Sequence, residues 1–230
     1  MKTLLALVGC LTLTVLSLSA QEITNAPAAT AADTNAVDIK ELMKLPRFTN
    51  DTGMVMVKSS DALWVGAYEV TQEEYQKITG NNPSQFAGAR HPVDSVSWTE
   101  AMAFCDKLNA AEAKAKMLPE GLAYTLQTQA QWEGFAQSAE LKDAVTSANA
   151  PRTSTAPVGS LGPTTLGLYD IRGNVWEWCL DTQNPASRVA RGGAWDSWID
   201  INLRRDFRWY GSPDAHSNAT GFRCVLEPKG

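Results

Sequence analysis

Between residues 71 and 131 a hydroxyl side chain is followed, three positions on, by Glu or Gln at the head of an apolar pattern. This happens three times: Thr71-x-x-Glu74, Ser97-x-x-Glu100 and Thr128-x-x-Gln131. In a capping box of this kind the hydroxyl accepts from the backbone N–H three residues later, and the carboxylate or amide accepts from the cap's own N–H. Donors that a helix start leaves orphaned are thereby satisfied, so each box predicts a helix beginning at the next residue. Val70 set against Tyr75 adds a hydrophobic staple to the first. In the second, Trp98, Ala101, Met102, Cys105 and Leu108 recur at helical spacing, which turns Cys105 toward the core.

Outside these helices the β-prone runs are short. Met54-Val55-Met56-Val57 and Leu63-Trp64-Val65-Gly66-Ala67-Tyr68 precede the first helix, and residues 175–180, 188–190 and 222–226 follow the last. From about residue 139 to residue 165 the chain is Ala, Ser, Thr, Pro and Gly without periodicity. That predicts a long irregular connection rather than a second domain. The order strands, helices, loops, strands defines an α+β plan with little regular secondary structure.

The start of the chain reads differently. Met1-Lys2, an apolar stretch over 3–16 and Ser17-Leu18-Ser19-Ala20 make residues 1–20 a secretory signal peptide. Residues 21–45 are a flexible spacer, too poor in apolar side chains to offset their ordering entropy. Residues 46–230 are one domain by size. The protein is therefore expected outside the cytoplasm, periplasmic or secreted. Leu7-Val8-Gly9-Cys10 has the form of a lipoprotein box, and acylation of Cys10 would tether the chain to a membrane, although Cys10 comes early in the apolar core of the leader.

A net charge of −5 with scattered Lys and Arg gives no basic stripe and argues against nucleic acid as a partner. His91 and His216 are the only histidines, too few for a His-based metal site. Cys105, Cys179 and Cys224 follow the leader, and in an oxidising compartment two of them would pair, although spacing does not choose which.

Several segments resemble the formylglycine-generating (sulfatase-modifying factor) family, in family order across about residues 63–226. Gly66-Ala67-Tyr68-Glu69-Val70-Thr71, Asn81-Asn82-Pro83-Ser84-Gln85-Phe86, Pro92-Val93-Asp94-Ser95-Val96-Ser97-Trp98 and Tyr124-Thr125-Leu126-Gln127-Thr128-Gln129-Ala130-Gln131-Trp132-Glu133 lead. The more specific matches are Gly167-Leu168-Tyr169-Asp170-Ile171-Arg172-Gly173-Asn174-Val175-Trp176-Glu177-Trp178, Arg191-Gly192-Gly193-Ala194-Trp195 and Gly221-Phe222-Arg223-Cys224. The resemblance implies a variant C-type-lectin-like fold. It also implies a disulfide between Cys105 and Cys224 with Cys179 free; the alternative is three separate buried thiols. Closing a loop of that length would stabilise by up to about 5 kcal/mol in the chain-entropy model.

The family's enzymes use two cysteines to bind copper and oxidise a substrate cysteine to formylglycine. Counted without a gap from Gly193, those positions fall on Ser197 and Asn202, with the expected arginine present as Arg204. No cysteine occurs between Cys179 and Cys224, so no register restores the pair, and copper is not expected because it needs soft thiolate ligands. Ser197 as a nucleophile would need a base; the stretch offers Asp196, Asp200 and Asp206 but no histidine closer in sequence than His216, so a polar loop hydroxyl is the reading kept.

The resemblance also implies a calcium site formed by the carbonyls of Arg172, Gly173 and Val175 and the carboxylate of Glu177, oxygen donors suited to a hard cation. The alternative is that an arginine or backbone donors hold Glu177. In the enzymes the loop matching residues 196–218 receives an extended peptide, which makes Trp198, Arg204, Arg208, Trp209 and Tyr210 ligand-binding candidates here. The chain reads as an exported, non-catalytic binding or scaffold protein for an extracytoplasmic peptide, protein or glycan. The alternatives are a sulfatase-maturing oxidoreductase, a member with altered chemistry, and a lectin-like hypervariable ligand-display protein.

Overall fold

The computed structural model describes residues 41, 43–182 and 184–230. The leader at 1–20, the Cys10 box and most of the 21–45 spacer lie outside the described residues. All three capping boxes close with both of their hydrogen bonds. Thr71 and Glu74 start α1 (Gln72–Thr79), Ser97 and Glu100 start α2 (Trp98–Lys114), and Thr128 and Gln131 start α3 (Gln129–Phe135). Val70 and Tyr75, the staple pair, are buried in one apolar cluster. No helix among the described residues is long and apolar enough to cross a membrane.

Five strands form the first sheet: β1 (Arg47–Thr49), β2 (Val55–Ser60), β3 (Leu63–Gly66), β4 (Leu122–Leu126) and β9 (Cys224–Pro228), in the order β1-β2-β3-β9-β4. Every pairing in it is antiparallel. The last strand of the chain thus lies between the third and the fourth. It is buried on both faces: Cys224 and Leu226 pack with Trp64, Phe104 and Cys105, while Val225 packs with Val65, Trp132 and Ile171. This is the alternation of a pleated strand, and it gives the sheet a core on each side, with α1 and α2 on one and α3 on the other.

The second sheet holds β5 (Trp176–Trp178), β6 (Arg188–Arg191), β7 (Trp209–Gly211) and β8 (Thr220–Gly221), in the order β7-β6-β5-β8. Trp176 and Trp178, two apart, share a face and enter the larger core, leaving Glu177 on the other face. The expected strand over 222–226 begins later, at Cys224. Thr220 and Gly221 belong to the second sheet, so Phe222-Arg223 is the crossing from one sheet to the other. The expected strand over 175–180 is cut to three residues, because it pairs through only two residues with β6 and two with β8.

Candidate functional site

The motif over 173–178 begins with two left-handed residues, Gly173 at φ 87° and Asn174 at φ 57°. At Gly173 a Cβ would stand 2.5 Å from the Val145 carbonyl oxygen, so only glycine fits. Asn174 then ties three segments together. Its Nδ2 donates to Glu69 Oε2 (2.6 Å), its Oδ1 accepts from the Ala156 N–H (3.0 Å), and its own N–H donates to the Val145 carbonyl (2.8 Å). Glu69 Oε1 accepts from the Val175 N–H at 3.0 Å.

Glu177 is fully buried, and Arg223 grips it through Nε (2.9 Å) and a terminal nitrogen (2.6 Å) at Oε1. Gln127 Nε2 donates to Oε2 at 2.5 Å. Arg223 also donates to the carbonyls of Gly66 (2.9 Å) and Tyr169 (2.7 Å). The motifs read along the sequence therefore meet in space. Glu177 pairs with the Gly-Phe-Arg-Cys arginine, Trp178 Nε1 donates to the Val96 carbonyl (2.9 Å), and Arg191 lies 4.7 Å over the Trp132 ring.

An arginine thus holds Glu177, as the alternative reading had it. Part of the acceptor capacity of Glu177 is left over. An ionised carboxylate has about four lone-pair sites, and the bonds above use three of those on Glu177. Asp170, which the sequence reading did not single out, is buried at φ 56° with its Oδ1 unpartnered, while Oδ2 accepts from the Gly159 N–H at 2.7 Å. Burial pushes the Asp170 carboxyl up to about 6. Burial first, and then the Asp170 and Glu177 carboxylates, hold Glu69 well above the usual carboxylate range. Glu69, Asp170 and Glu177 are all buried, and of the three only Glu177 is paired with the Arg223 guanidinium. The signal in the sequence was Asp170 itself, three residues ahead of Gly173.

Ser197 and Asn202, the two positions counted from Gly193, come together around that glycine. A Cβ there would lie 3.3 Å from both Ser197 Oγ and the Asn202 carbonyl oxygen. Ser197 is buried and engaged in a turn: its Oγ accepts from the Ala194 N–H (3.0 Å) and its N–H donates to the Ala194 carbonyl (3.0 Å). His216, the one histidine near it in sequence, is bonded to Glu100 at 2.9 Å instead. Cys105 and Cys224 are the pair of thiols brought together, with sulfurs 3.8 Å apart and no bond between them; Cys179 is buried elsewhere.

The 196–218 segment presents the remaining candidates. Trp198 is 75% exposed and Tyr210 57%, with Ile199 and Ile201 also exposed beside Trp198. Trp209 is half-buried, its ring 5.5 Å from that of Trp178, so it anchors the segment more than it displays it. Arg204 makes a two-pronged pair with Asp206, at 2.9 and 2.6 Å. Arg208 reaches Gln129 (2.8 Å) and Glu133 (3.0 Å), one turn apart on α3.

Two short sheets with long loops and helices on the faces of the first define a protein of the variant C-type-lectin-like fold. A family model described as Sulfatase-modifying factor enzyme 1-like domain matches residues 18–228, and the chain belongs to that family. Chaperone protein LppX of Paenibacillus barcinonensis is 28% identical over 200 residues, covering 60% of this chain and 70% of that protein. A Formylglycine-generating enzyme of Thermomonospora curvata is 30% identical over 185 residues, covering 60% of this chain and 56% of the enzyme, so the chain spans little more than half of that relative. Among solved structures, Treponema denticola variable protein 1 superposes with a TM-score of 0.63 at 26% identity, covering 80% of this chain and 92% of that one.

Proposed function

We propose that this chain is an exported, non-catalytic recognition module of the sulfatase-modifying factor family, which holds an extracytoplasmic peptide, protein or glycan on the face built by residues 196–218. The observation that carries the reading is the pair Ser197 and Asn202. Both come close to Gly193, at the positions where the family's thiols are expected, and Ser197 spends its hydroxyl on a backbone turn. Without thiolates that position offers no soft ligand for copper. Beside it the segment keeps a large exposed indole on a framework anchored by Trp195 and Trp209, the arrangement of a recognition surface.

Incubating the mature protein with copper, oxygen and a Cys-x-Pro-x-Arg peptide is expected to leave the peptide mass unchanged. Loss of the thiol mass would overturn the reading in favour of the oxidoreductase. Export is tested by the mature amino terminus, expected at Gln21. A second reading, a lectin-like ligand-display protein, is favoured by the likeness to Treponema denticola variable protein 1; it requires sibling copies of this gene that differ mainly over residues 196–218.

Calcium would be held by the carbonyls of Arg172, Gly173 and Val175 with Glu177, and Asp170 Oδ1 adds a free oxygen to the set. It would supply structural charge compensation. Calcium at a hundredfold excess over its dissociation constant would then stabilise by about 2.7 kcal/mol relative to EDTA. An Asp170→Asn variant should lose most of that gain, and equal melting of the wild type with and without calcium would discard the site.

A further inference from the structure

The chain has a formal charge of −5, yet one face gathers arginines. Two clefts open side by side there. One, of about 350 Å³, is lined by Arg172, Arg204, Arg205 and Asp206. The other, of about 550 Å³, is lined by Glu133, Arg205, Asp206 and Arg208 together with Ala130 and Gly134 of α3 and Gln137 just beyond it. They share Arg205 and Asp206, so four arginines face two carboxylates.

Both carboxylates are already committed. Asp206 is taken two-pronged by Arg204. Glu133 Oε1 is shared between Arg208 (3.0 Å) and the buried Arg191 (2.9 Å), whose terminal nitrogen also donates to the Arg205 carbonyl. Arg172 and Arg205 are left with no counter-ion among the described residues. Arg172 Nε is enclosed and without a hydrogen-bond partner. Arg172 and Arg205 line the same cleft, which brings the two guanidiniums to one opening.

A pair of like charges at a cleft with spare planar donors is a receptor for an anion, since guanidinium forks bind oxyanions two-pronged and are weakly hydrated. We propose that Arg172 and Arg205, flanked by Arg204 and Arg208, form a site for an oxyanion group of the ligand: a carboxylate, a phosphate or a sulfate. The inference rests on the reading of residues 196–218 as a recognition face and gives that face its charge selectivity. Trp198 and its isoleucine neighbours would then contact an apolar part of the same ligand.

The mature chain is titrated calorimetrically with inorganic phosphate, inorganic sulfate and a Glu-rich heptapeptide, with a Lys-rich heptapeptide as the control. Saturable binding of at least one of the three anions is expected, with the preferred arm naming the source of the oxyanion. It should weaken at least tenfold in Arg205→Gln, whose exposed side chain puts the fold at no risk, and further in Arg172→Gln/Arg205→Gln. It should strengthen in Asp206→Asn and weaken between 0.05 and 0.3 M salt, about the range over which surface charges become screened. No binding by any of the three anions, equal binding of the Lys-rich peptide, or binding unchanged in Arg205→Gln overturns the inference. Peptide oxidation in the copper assay would instead sink the non-catalytic reading and leave this titration standing.

Discussion

Arg223 is the side chain on which two distant motifs close. It lies 46 residues from Glu177 in sequence, and both are fully buried. Removing one partner of a buried pair strands the other charge, at a cost of about 3 to 5 kcal/mol. Arg223→Met should lower the unfolding free energy read from urea titration by that amount, while Glu177→Gln in the same chain should recover part of it; a loss below about 1 kcal/mol would deny the pair its role. Glu112 sets a smaller term. Its Oε1 accepts from the Thr52 N–H (3.2 Å) and hydroxyl (3.1 Å), its Oε2 is buried without a partner, and burial raises its pKa. A carboxyl raised in the folded state favours folding when protonated, so its contribution is present below the unfolded pKa and is lost as pH rises through the folded one. Glu112→Gln should therefore gain about 1 kcal/mol relative to wild type between pH 4 and pH 7.5, read from melting at both. An equal difference at the two pH values would contradict the assignment.

The three helices start where reciprocal i to i+3 bonds can form, and such bonds are written in four consecutive residues. Ser97→Ala removes one cap from the longest helix and should cost about 1 kcal/mol by chemical denaturation, with Ser97→Asp restoring most of it. An undiminished midpoint would mean that packing alone places α2. The strands carry less local signal. β1, β7 and β8 have two or three residues each, too few for an alternation, and they exist only because a partner lies alongside. β4 ends two residues before the Thr128 cap; Leu122, Tyr124 and Leu126 alternate onto one core, but over only five residues, and its pairing with β9 defines it.

For the whole molecule, the closing strand, set between β3 and β4 in the first sheet, joins the end of the chain to α2. Cys105 and Cys224, 119 apart in sequence, meet there within reach of a bond. Under export conditions the pair should oxidise, with a gain of up to about 5 kcal/mol and a single alkylatable thiol after unfolding. Three alkylatable thiols after oxidation would rule the bridge out. Cys179, whose burial raises its pKa well above the usual thiol range, should resist alkylation in the folded protein. The chain by itself determined the helix starts, the set of family motifs and the absence of the two catalytic thiols, because each is a matter of residue identity at short spacing. Only the tertiary structure decided which thiols meet, that Arg223 holds Glu177, that Asp170 Oδ1 is left free, and that Arg172 and Arg205 share a cleft. Those are contacts between side chains far apart in sequence or facing across loops, and local propensity carries no record of them until the two sheets and three helices have packed.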